Sequence, residues 1–337
     1  MTIIERLQAY GIRRLGSPRR GFRYRGSGGL RVSAADRERI DALRIPPAWR
    51  DVAIHFSARA QVQAVGKDAA GRWQYLYHEA HVKRREVTKT ARLIRFIEAL
   101  PRMRRAVDRD LAQRGIPRTK VLAGILKILA TCFLRPGSQV YADENGSYGI
   151  ATLQRRHVKV RGDVVFFEFE GKSGKLQKNQ MRSRRLARLI RELLKHRGEV
   201  FKYRDAGGAL VDVRRKHINA YIKEVMGEQF SAKDFRTWAA NLLCASALAR
   251  ALPEDPSNAR ETKQRVAAAV REVSEHLGNT PAVCRASYIF PVLIARYHKG
   301  HVVDAHFAGV ESLARGPERR VRRSERALLE LLRKSAA

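Results

Sequence analysis

The spacing of apolar residues changes near residue 88, and this change limits the folds that the chain can adopt. From Thr88 onward, apolar residues recur at helical intervals over long stretches such as ARLIRFIEALPRMRRAVDRDLAQRG and TKVLAGILKILATCFL. Between Arg182 and Arg197 they fall at i, i+3, i+4, i+7 and i+8, which predicts one buried helical face ending at Gly198. Residues 89–337 are therefore predicted to form a mostly helical domain.

One stretch inside this helical domain has the pattern of a sheet. The segments ATLQRRHVKV, VVFFEFE and KLQKNQ predict a three-stranded antiparallel meander, with turns at RGD and GKSG. The tail RGPERRVRRSERALLELLRKSAA predicts a basic amphipathic helix whose charged face is solvated.

Residues 1–88 are predicted to form a smaller, sheet-rich domain. A short helix is expected at Ala35–Leu43, ending before Pro46 and Pro47. The segments VAIHF, QVQAVG and GRWQYLYH predict strands by their β-branched and aromatic content, with a turn at Gly71. The predicted fold class is therefore α+β, with a small sheet-rich N-terminal domain and a larger, mostly helical domain that contains the meander.

The charge of the chain limits its partners. Lys and Arg number 68 against 33 Asp and Glu, which gives a formal net charge of +35 on 337 residues. Such an excess repels itself unless polyanions neutralise it, and Lys and Arg that displace condensed counterions are the main source of affinity for nucleic acid. A phosphate backbone is therefore the expected partner, and an anionic membrane surface is the alternative.

Three further patterns concern location and cysteine chemistry. The longest apolar run, Val121–Leu134, is interrupted by Lys127 and is too short to span a bilayer. The charged start MTIIERLQAYGIRR does not resemble a signal peptide, so we expect a cytoplasmic protein. The three widely spaced cysteines predict neither a disulfide framework nor a zinc site.

Three short motifs resemble ligand sites but lack the required spacing. GKSGK contains the end of a phosphate-binding loop, yet Phe166 occupies the position of its first glycine, so no ATP site is predicted. The histidines of HEAH, His78 and His81, are three residues apart rather than the four of a zinc-protease helix, and they are expected to be surface residues. DENGS is too short for a calcium loop and predicts a turn. We therefore expect no metal and no small-molecule cofactor.

Several basic residues lie beside a turn or near the start of a helix, where the backbone sets the direction of the side chain. Arg135 follows a buried helix and precedes Pro136, Lys172 lies at a hairpin tip, and Arg236 lies near the start of an apolar helix that Ser231 is expected to cap. Each of them alone is typical of an exposed charge, and Tyr288 alone is more typical of a core residue. Together they suit nucleophilic attack by a tyrosine on a phosphodiester, because cations must stabilise the charge that develops.

Five motifs in a fixed order carry a family resemblance. They are RPG, ENGSYGIATLQRRHVKV, FEGKSGK, KDFRTWAA and LGNTPAVCRASYI, and they resemble the type IB DNA topoisomerases, specifically the small poxvirus-like and bacterial branch. IPPAWRDV and GRWQYLYH resemble the N-terminal module of that branch, so the resemblance covers nearly the whole chain. It implies relaxation of supercoiled duplex DNA through a transient 3′-phosphotyrosyl intermediate and religation, without ATP or metal. We also expect the two predicted domains to clamp double-stranded DNA in the nucleoid, for which a monomer would suffice.

The resemblance also implies roles for individual residues. Tyr288 is the implied nucleophile, and the other implied active-site residues are Arg135, Lys172, Arg236 and Asn279. The residues implied to contact DNA are Gln74, Tyr75, Tyr77, Tyr141 and Lys233, and the main general acid is either Lys172 or Lys233. Many relatives have a histidine where this chain has Asn279, whose amide can donate a hydrogen bond but carries no charge.

Two other classes of protein fit parts of the sequence. Tyrosine recombinases share the Arg, Lys, Arg and Tyr set, but they usually carry HxxR where this chain has Lys233-Asp234-Phe235-Arg236. This lysine and the N-terminal IPPAW and QYLY matches favour a topoisomerase. A non-catalytic basic DNA-binding protein is the third class, and a competent group at every position of the set argues against it.

Overall fold

The computed structural model describes residues 1–252, 258–307 and 318–336. The chain forms two compact units, Met1–Thr88 and Lys89–Ala337. The first unit contains α1 (Ile3–Tyr10), β1 (Ile12–Ser17), β2 (Gly21–Arg25), α2 (Ala34–Ala42), β3 (Arg50–Ile54), β4 (Val62–Lys67) and β5 (Trp73–Tyr77). The α+β class that the sequence predicts is confirmed.

The first unit is a five-stranded antiparallel sheet with the strand order β2-β1-β3-β4-β5. Successive side chains of a strand point to opposite faces, and β3 shows this directly. Val52 and Ile54 pack with Ile40 of α2 on one face, whereas Ala53 packs with Leu7 of α1 on the other. The sequence predicted β3, β4, β5 and α2, but not α1, β1 or β2.

The helices of the second unit share one large core, to which all except the one at Gln139–Asn145 contribute buried residues. They are α3 (Glu79–Asp110), which begins in the last residues of the first unit, α4 (Arg118–Cys132), α5 (Gln139–Asn145), α6 (Arg184–Leu193), α7 (Arg215–Met226), α8 (Ala232–Arg250), α9 (Ala259–His276), α10 (Pro281–Ser287), α11 (Pro291–Tyr297) and α12 (Glu318–Ala336). The buried ring of Phe96 on α3 meets Phe235 of α8 edge to face, with centroids 5.1 Å apart. Phe133, after α4, meets Trp238 of α8 in the same way at 5.8 Å. These contacts fix the first turns of α8 against α3 and the end of α4.

The predicted meander is present as β6 (Val158–Arg161), β7 (Val164–Glu170) and β8 (Leu176–Arg182), paired in that order. Its first strand is shorter than ATLQRRHVKV predicted, because two 3-10 turns precede it. The Gly149 N–H donates to the Thr152 hydroxyl at 3.0 Å, and the Gln154 N–H donates to Nδ1 of His157 at 3.1 Å. Side-chain acceptors of this kind compete with strand pairing. A further small sheet of β9 (Lys202–Arg204) and β10 (Leu210–Asp212) was not predicted.

Three other predictions have clear outcomes. The DENGS segment is not a separate turn, because it forms the end of α5, which stops at Gly146 in a left-handed conformation. The HEAH segment leads into α3, so the helical pattern starts earlier than Thr88. The basic tail helix is confirmed as α12, with Ala327, Leu328 and Leu332 buried; residues 315–317 and 337 of that prediction lie outside the described part. Within the described ranges, no helix combines the length and apolarity needed to cross a bilayer.

Candidate active site

Arg236 is a buried cation held by main-chain oxygens. It lies in the first turns of α8, where Ser231 is the N-cap as predicted and the Ser231 N–H donates to the Asp234 carboxylate at 2.8 Å. Only 4% of Arg236 is exposed. Its guanidinium donates to the Phe133 carbonyl at 2.7 Å and to the Leu277 carbonyl at 2.7 Å. Phe133 presents its carbonyl there because it ends α4 in a left-handed conformation, with φ +54°.

Asn279 lies in a tight turn between α9 and α10. Gly278 takes a left-handed φ of +60°, Thr280 caps α10 by accepting the Val283 N–H at 3.3 Å, and Pro281 opens the helix. Proline suits this first helical position, where no N–H is needed. The LGNTP turn of the sequence therefore serves as a rigid support for one side chain, that of Asn279.

The Asn279 side chain joins two arginines. Its Oδ1 accepts from Nη2 of Arg135 at 2.5 Å and from Nη2 of Arg236 at 3.5 Å. This arrangement turns its amide nitrogen away from both guanidinium groups. Within the described residues, Nδ2 of Asn279 and Nε of Arg236 are buried and have no hydrogen-bond partner. Buried donors are rarely left unpaired, so these two are available to an incoming acceptor.

The two arginines repel each other. Burial and, to a smaller extent, the nearby charge of Arg236 lower the pKa of Arg135 to about 10, and Tyr288 opposes the shift. Burial also lowers the pKa of Arg236, and Tyr288 again opposes the shift. No carboxylate among the described residues contributes to either shift. Arg135 still carries its charge at neutral pH, and an anion placed between the two guanidinium groups would relieve their repulsion.

Tyr288 lies beside these arginines at the end of α10. The guanidinium carbon of Arg236 is 5.5 Å from the centroid of the Tyr288 ring. The main chain of Tyr288 is fixed by Asn241, whose amide nitrogen donates to the Tyr288 carbonyl at 2.8 Å. Oδ1 of Asn241 accepts the N–H of Phe290 at 2.9 Å. The structure thus brings together four residues of the sequence-based set, namely Arg135, Arg236, Asn279 and Tyr288.

Asn241 was missed by the sequence reasoning. It lies inside the apolar run WAANLLCASALA and is fully buried. A polar side chain on the core-facing side of a helix needs hydrogen-bond partners there. That rule was the signal that could have marked Asn241 before the structure was known.

Lys172 is not in contact with this cluster. It is exposed at the turn between β7 and β8, and it makes no hydrogen bond or ion pair among the described residues. The connection to the cluster comes instead from Lys175, whose ammonium donates to the main-chain carbonyl of Asn279 at 3.1 Å.

Lys233 and Tyr141 are close in sequence to Arg236 and Arg135, respectively. Both are exposed, and neither takes part in the hydrogen bonds of the cluster. Lys233 is in the first turn of α8 and lines a cavity of about 310 Å³ together with Lys89, Ser287 and Phe290. Because Ser287 precedes Tyr288, this cavity lies along the segment that carries the tyrosine. Tyr141 lies on α5 and is 63% exposed.

The three residues predicted in the first unit do not share one face of the sheet. Gln74, Tyr75 and Tyr77 all belong to β5, where side chains alternate. The rings of Tyr75 and Tyr77 stack with centroids 6.1 Å apart. The Gln74 amide instead donates to the Asp68 carboxylate at 2.9 Å. Strand geometry therefore brings the two tyrosines together and separates Gln74 from them.

The described residues contain no group of three His, Cys, Asp or Glu side chains that could hold a metal ion. Cys132, Cys244 and Cys284 are buried free thiols. A tyrosine ring beside two converging arginines and an unpaired amide suits a class of protein in which a tyrosine attacks a phosphodiester.

Comparisons with known proteins give the particular family. Residues 79–302 match the family model described as "Eukaryotic DNA topoisomerase I, catalytic core", and residues 21–68 match "Bacterial DNA topoisomerase IB, N-terminal domain". The chain is 35% identical over 272 residues to a protein of Acanthamoeba polyphaga mimivirus named DNA topoisomerase 1B, covering 79% of this chain and 81% of the relative. It is 22% identical over 276 residues to the DNA topoisomerase 1B of Vaccinia virus (strain Copenhagen), covering 79% and 83%. The chain belongs to the type IB DNA topoisomerase family.

Proposed function

We propose that the protein relaxes supercoiled double-stranded DNA by cutting one strand through Tyr288 and then religating it. One observation carries the proposal. Arg135 and Arg236 meet at the Oδ1 of Asn279 beside the Tyr288 ring, without a neutralising carboxylate among the described residues. A site of this kind is complementary to the added negative charge of a pentacoordinate phosphoryl group.

In the cleavage step, the Tyr288 hydroxyl gives its proton to water and its oxygen bonds to the scissile phosphorus. The bond between phosphorus and the 5′ oxygen breaks, which leaves a 3′-phosphotyrosyl ester. Each arginine presents a planar set of donors to the non-bridging oxygens, a task that suits guanidinium better than ammonium. The unpaired Nδ2 of Asn279 supplies one neutral donor to the same oxygens.

The departing 5′ oxygen needs a proton, because an alkoxide is a poor leaving group. Lys172, which no protein partner engages in the described residues, is the proposed donor. In religation the 5′ hydroxyl attacks the phosphotyrosyl ester and returns its proton to Lys172, while the Tyr288 oxygen leaves and takes a proton from water. The ester retains the energy of the broken bond, so the cycle requires no ATP, and the arginines supply the positive charge for the transition state.

We further propose that both units contact the same duplex as a clamp, mostly through phosphates. The proposed contacts are Gln74, Tyr75, Tyr77, Tyr141 and Lys233. One chain supplies every residue of the proposed centre, which supports a monomer as the active form on nucleoid DNA.

The first test uses plasmids of both signs of supercoiling in EDTA without ATP. We expect relaxation of both, and Tyr288→Phe should bind DNA but form no covalent adduct. Tyr297→Phe is the control, because Tyr297 is 1% exposed and its hydroxyl donates to the Ala251 carbonyl. A requirement for ATP and Mg²⁺, or an adduct in Tyr288→Phe, would contradict the proposal. Strand exchange without relaxation would indicate a recombinase-like enzyme.

The second test separates the acid from the electrostatic groups. Lys172→Ala should slow cleavage of ordinary DNA by roughly 10² or more, the usual contribution of proton transfer. A substrate with sulfur in place of the bridging 5′ oxygen releases a thiolate, which needs no proton. Lys172→Ala should cleave that substrate nearly as fast as the parent, whereas Arg236→Ala should remain slow on both. Equal impairment of Lys172→Ala on both substrates would make it a phosphate contact, with Lys233 or Arg135 as the acid.

A further inference from the structure

The turn that carries Lys172 has a defined shape. We call residues 171–175 the hairpin tip, because they join β7 to β8. The Gly171 N–H donates to the Lys175 carbonyl at 2.9 Å, and the Gly174 N–H donates to the Gly171 carbonyl at 3.1 Å. Ser173 and Gly174 both take left-handed conformations, with φ +64° and +68°. The main chain of Lys175 therefore closes the hairpin tip. Because these bonds fix the shape of the tip, the position of Lys175 determines the position of Lys172.

The hairpin tip and the start of β8 each contact the Asn279 turn. The Lys175 ammonium donates to the Asn279 carbonyl at 3.1 Å, across 104 residues of sequence. Two residues further on, in β8, Gln177 packs against Gly278 so closely that a Cβ on that glycine would lie 2.7 Å from the side-chain amide nitrogen of Gln177. The contact at Gly278 thus requires a residue without a side chain at that position, and the contact at Asn279 requires the Lys175 ammonium.

Asn279 therefore connects two parts of the proposed centre. Its carbonyl receives Lys175, and its side-chain oxygen receives Arg135 at 2.5 Å. The position of the hairpin tip is tied in this way to the position of the arginines. Lys172 itself makes no hydrogen bond or ion pair among the described residues, so the bond from the Lys175 ammonium to the Asn279 carbonyl is a side-chain link between the hairpin tip and the buried cluster.

We propose that Lys175 is a positioning residue, which docks the hairpin tip on the Asn279 turn and so places Lys172 at the departing 5′ oxygen. The inference rests on the proposed function, in which Lys172 gives that oxygen its proton. Lys175 does not transfer a proton itself and does not touch the reacting atoms. Its removal should therefore impair the step that needs the acid and leave the charge stabilisation by the arginines in place.

The experiment measures covalent adduct formation in single turnover on the oxygen and sulfur substrates. Lys175→Met removes the donor and keeps an apolar stem, whereas Lys175→Arg keeps a donor for the same carbonyl. We expect Lys175→Met to slow cleavage of the oxygen substrate on the order of tenfold to a hundredfold, as a misplaced catalytic group does. It should cleave the sulfur substrate close to the parent rate, and Lys175→Arg should recover most of the loss.

Lys178→Met is the matched control. Lys178 lies three residues further on, in β8, and pairs with Glu168 at 3.0 Å, so its loss leaves the Asn279 contact intact. This variant should behave as the parent on both substrates, and the melting temperatures of all variants should agree because both lysines are exposed.

The other results overturn the proposal in distinguishable ways. An unchanged oxygen rate in Lys175→Met means that the docking contact has no role. Equal slowing on both substrates means that Lys175 acts on the phosphate or on the arginines rather than on the acid. If Lys172→Ala itself is not rescued by sulfur, the acid assignment fails and the positioning role fails with it. If the parent forms no adduct through Tyr288, the proposed function has failed first.

Discussion

Replacement of Asn241 tests how the nucleophile is held. In Asn241→Ala, the Tyr288 carbonyl and the Phe290 N–H both lose a partner, at sites where Asn241 is fully buried. The Thr237 carbonyl also loses a side-chain contact, but it keeps its bond within α8. Each buried group left unpaired costs about 1–3 kcal/mol. Two such groups predict a loss of about 2–6 kcal/mol in the free energy of unfolding, and water entering the vacated space favours the lower half of this range.

The effect on activity has a different origin. Tyr288 and Phe290 lie on the main chain that Asn241 fixes, so the variant loosens the nucleophile relative to Arg236. A displacement of about 1 Å of a reacting group can slow a reaction on the order of 10²-fold. We expect a loss of this size in the single-turnover rate of adduct formation. The rate should be measured well below the melting temperature of the variant, so that only folded protein is compared.

Ser246→Ala is the control for Asn241→Ala. Ser246 is 1% exposed on the same helix, and its hydroxyl has no hydrogen-bond partner within the described residues. Its removal leaves no group unpaired, so we expect unchanged denaturant unfolding and unchanged cleavage. Two outcomes would refute the reasoning about Asn241. Parent-like stability would show that its bonds are replaced by water without loss, and a normal cleavage rate in a destabilised variant would show that it does not position Tyr288.

Two further predictions concern pH and salt. Burial, with a smaller effect of Arg236, lowers the pKa of His276 to about 4 from an ordinary 6.5, so between these values the unfolded chain binds more protons than the folded one. The contribution of neutral His276 to the free energy of unfolding is thus fully present above about pH 6.5 and falls by about 2 kcal/mol from pH 7 to pH 5. Denaturant titrations should show this loss in the parent and in the control His298→Gln, which changes an exposed histidine. The loss should be smaller in His276→Gln. With a net charge of +35, the affinity for a non-specific duplex should fall steeply and log-linearly with salt, and a flat dependence in a filter-binding titration would contradict binding through phosphates.

Much of the fold follows from local patterns in the sequence. The apolar face of α6, the alternation in β7 and the amphipathic tail each bury one side of one element, so periodicity alone predicts them. The first two strands lack such a pattern because their long side chains pack through their stems. The guanidinium carbon of Arg14, in β1, lies 4.2 Å from the centroid of the Phe22 ring, and the guanidinium donates to the carbonyl of Trp49 at 2.7 Å. An arginine used in this way looks like a surface charge in the sequence.

Four residues that lie together in the structure could be named from the sequence, but their geometry could not. Motif resemblance identified Asn279 without indicating that its oxygen would accept from Arg135 and that its nitrogen would remain unpaired. Composition and spacing also gave no reason to connect Lys175 with a turn 104 residues away. Such contacts depend on how helices and hairpins pack, which the local sequence does not encode.

The way in which Arg236 is held affects how freely the surrounding sequence can drift. Its guanidinium is oriented by the carbonyls of Phe133 and Leu277, and a carbonyl is present at every position of any chain. Point mutations at those two positions can change the packing but cannot delete the acceptors. Selection acting on the orientation of this arginine therefore constrains the path of the backbone more than the identity of its neighbours, so related chains can diverge widely around it and keep the same guanidinium geometry.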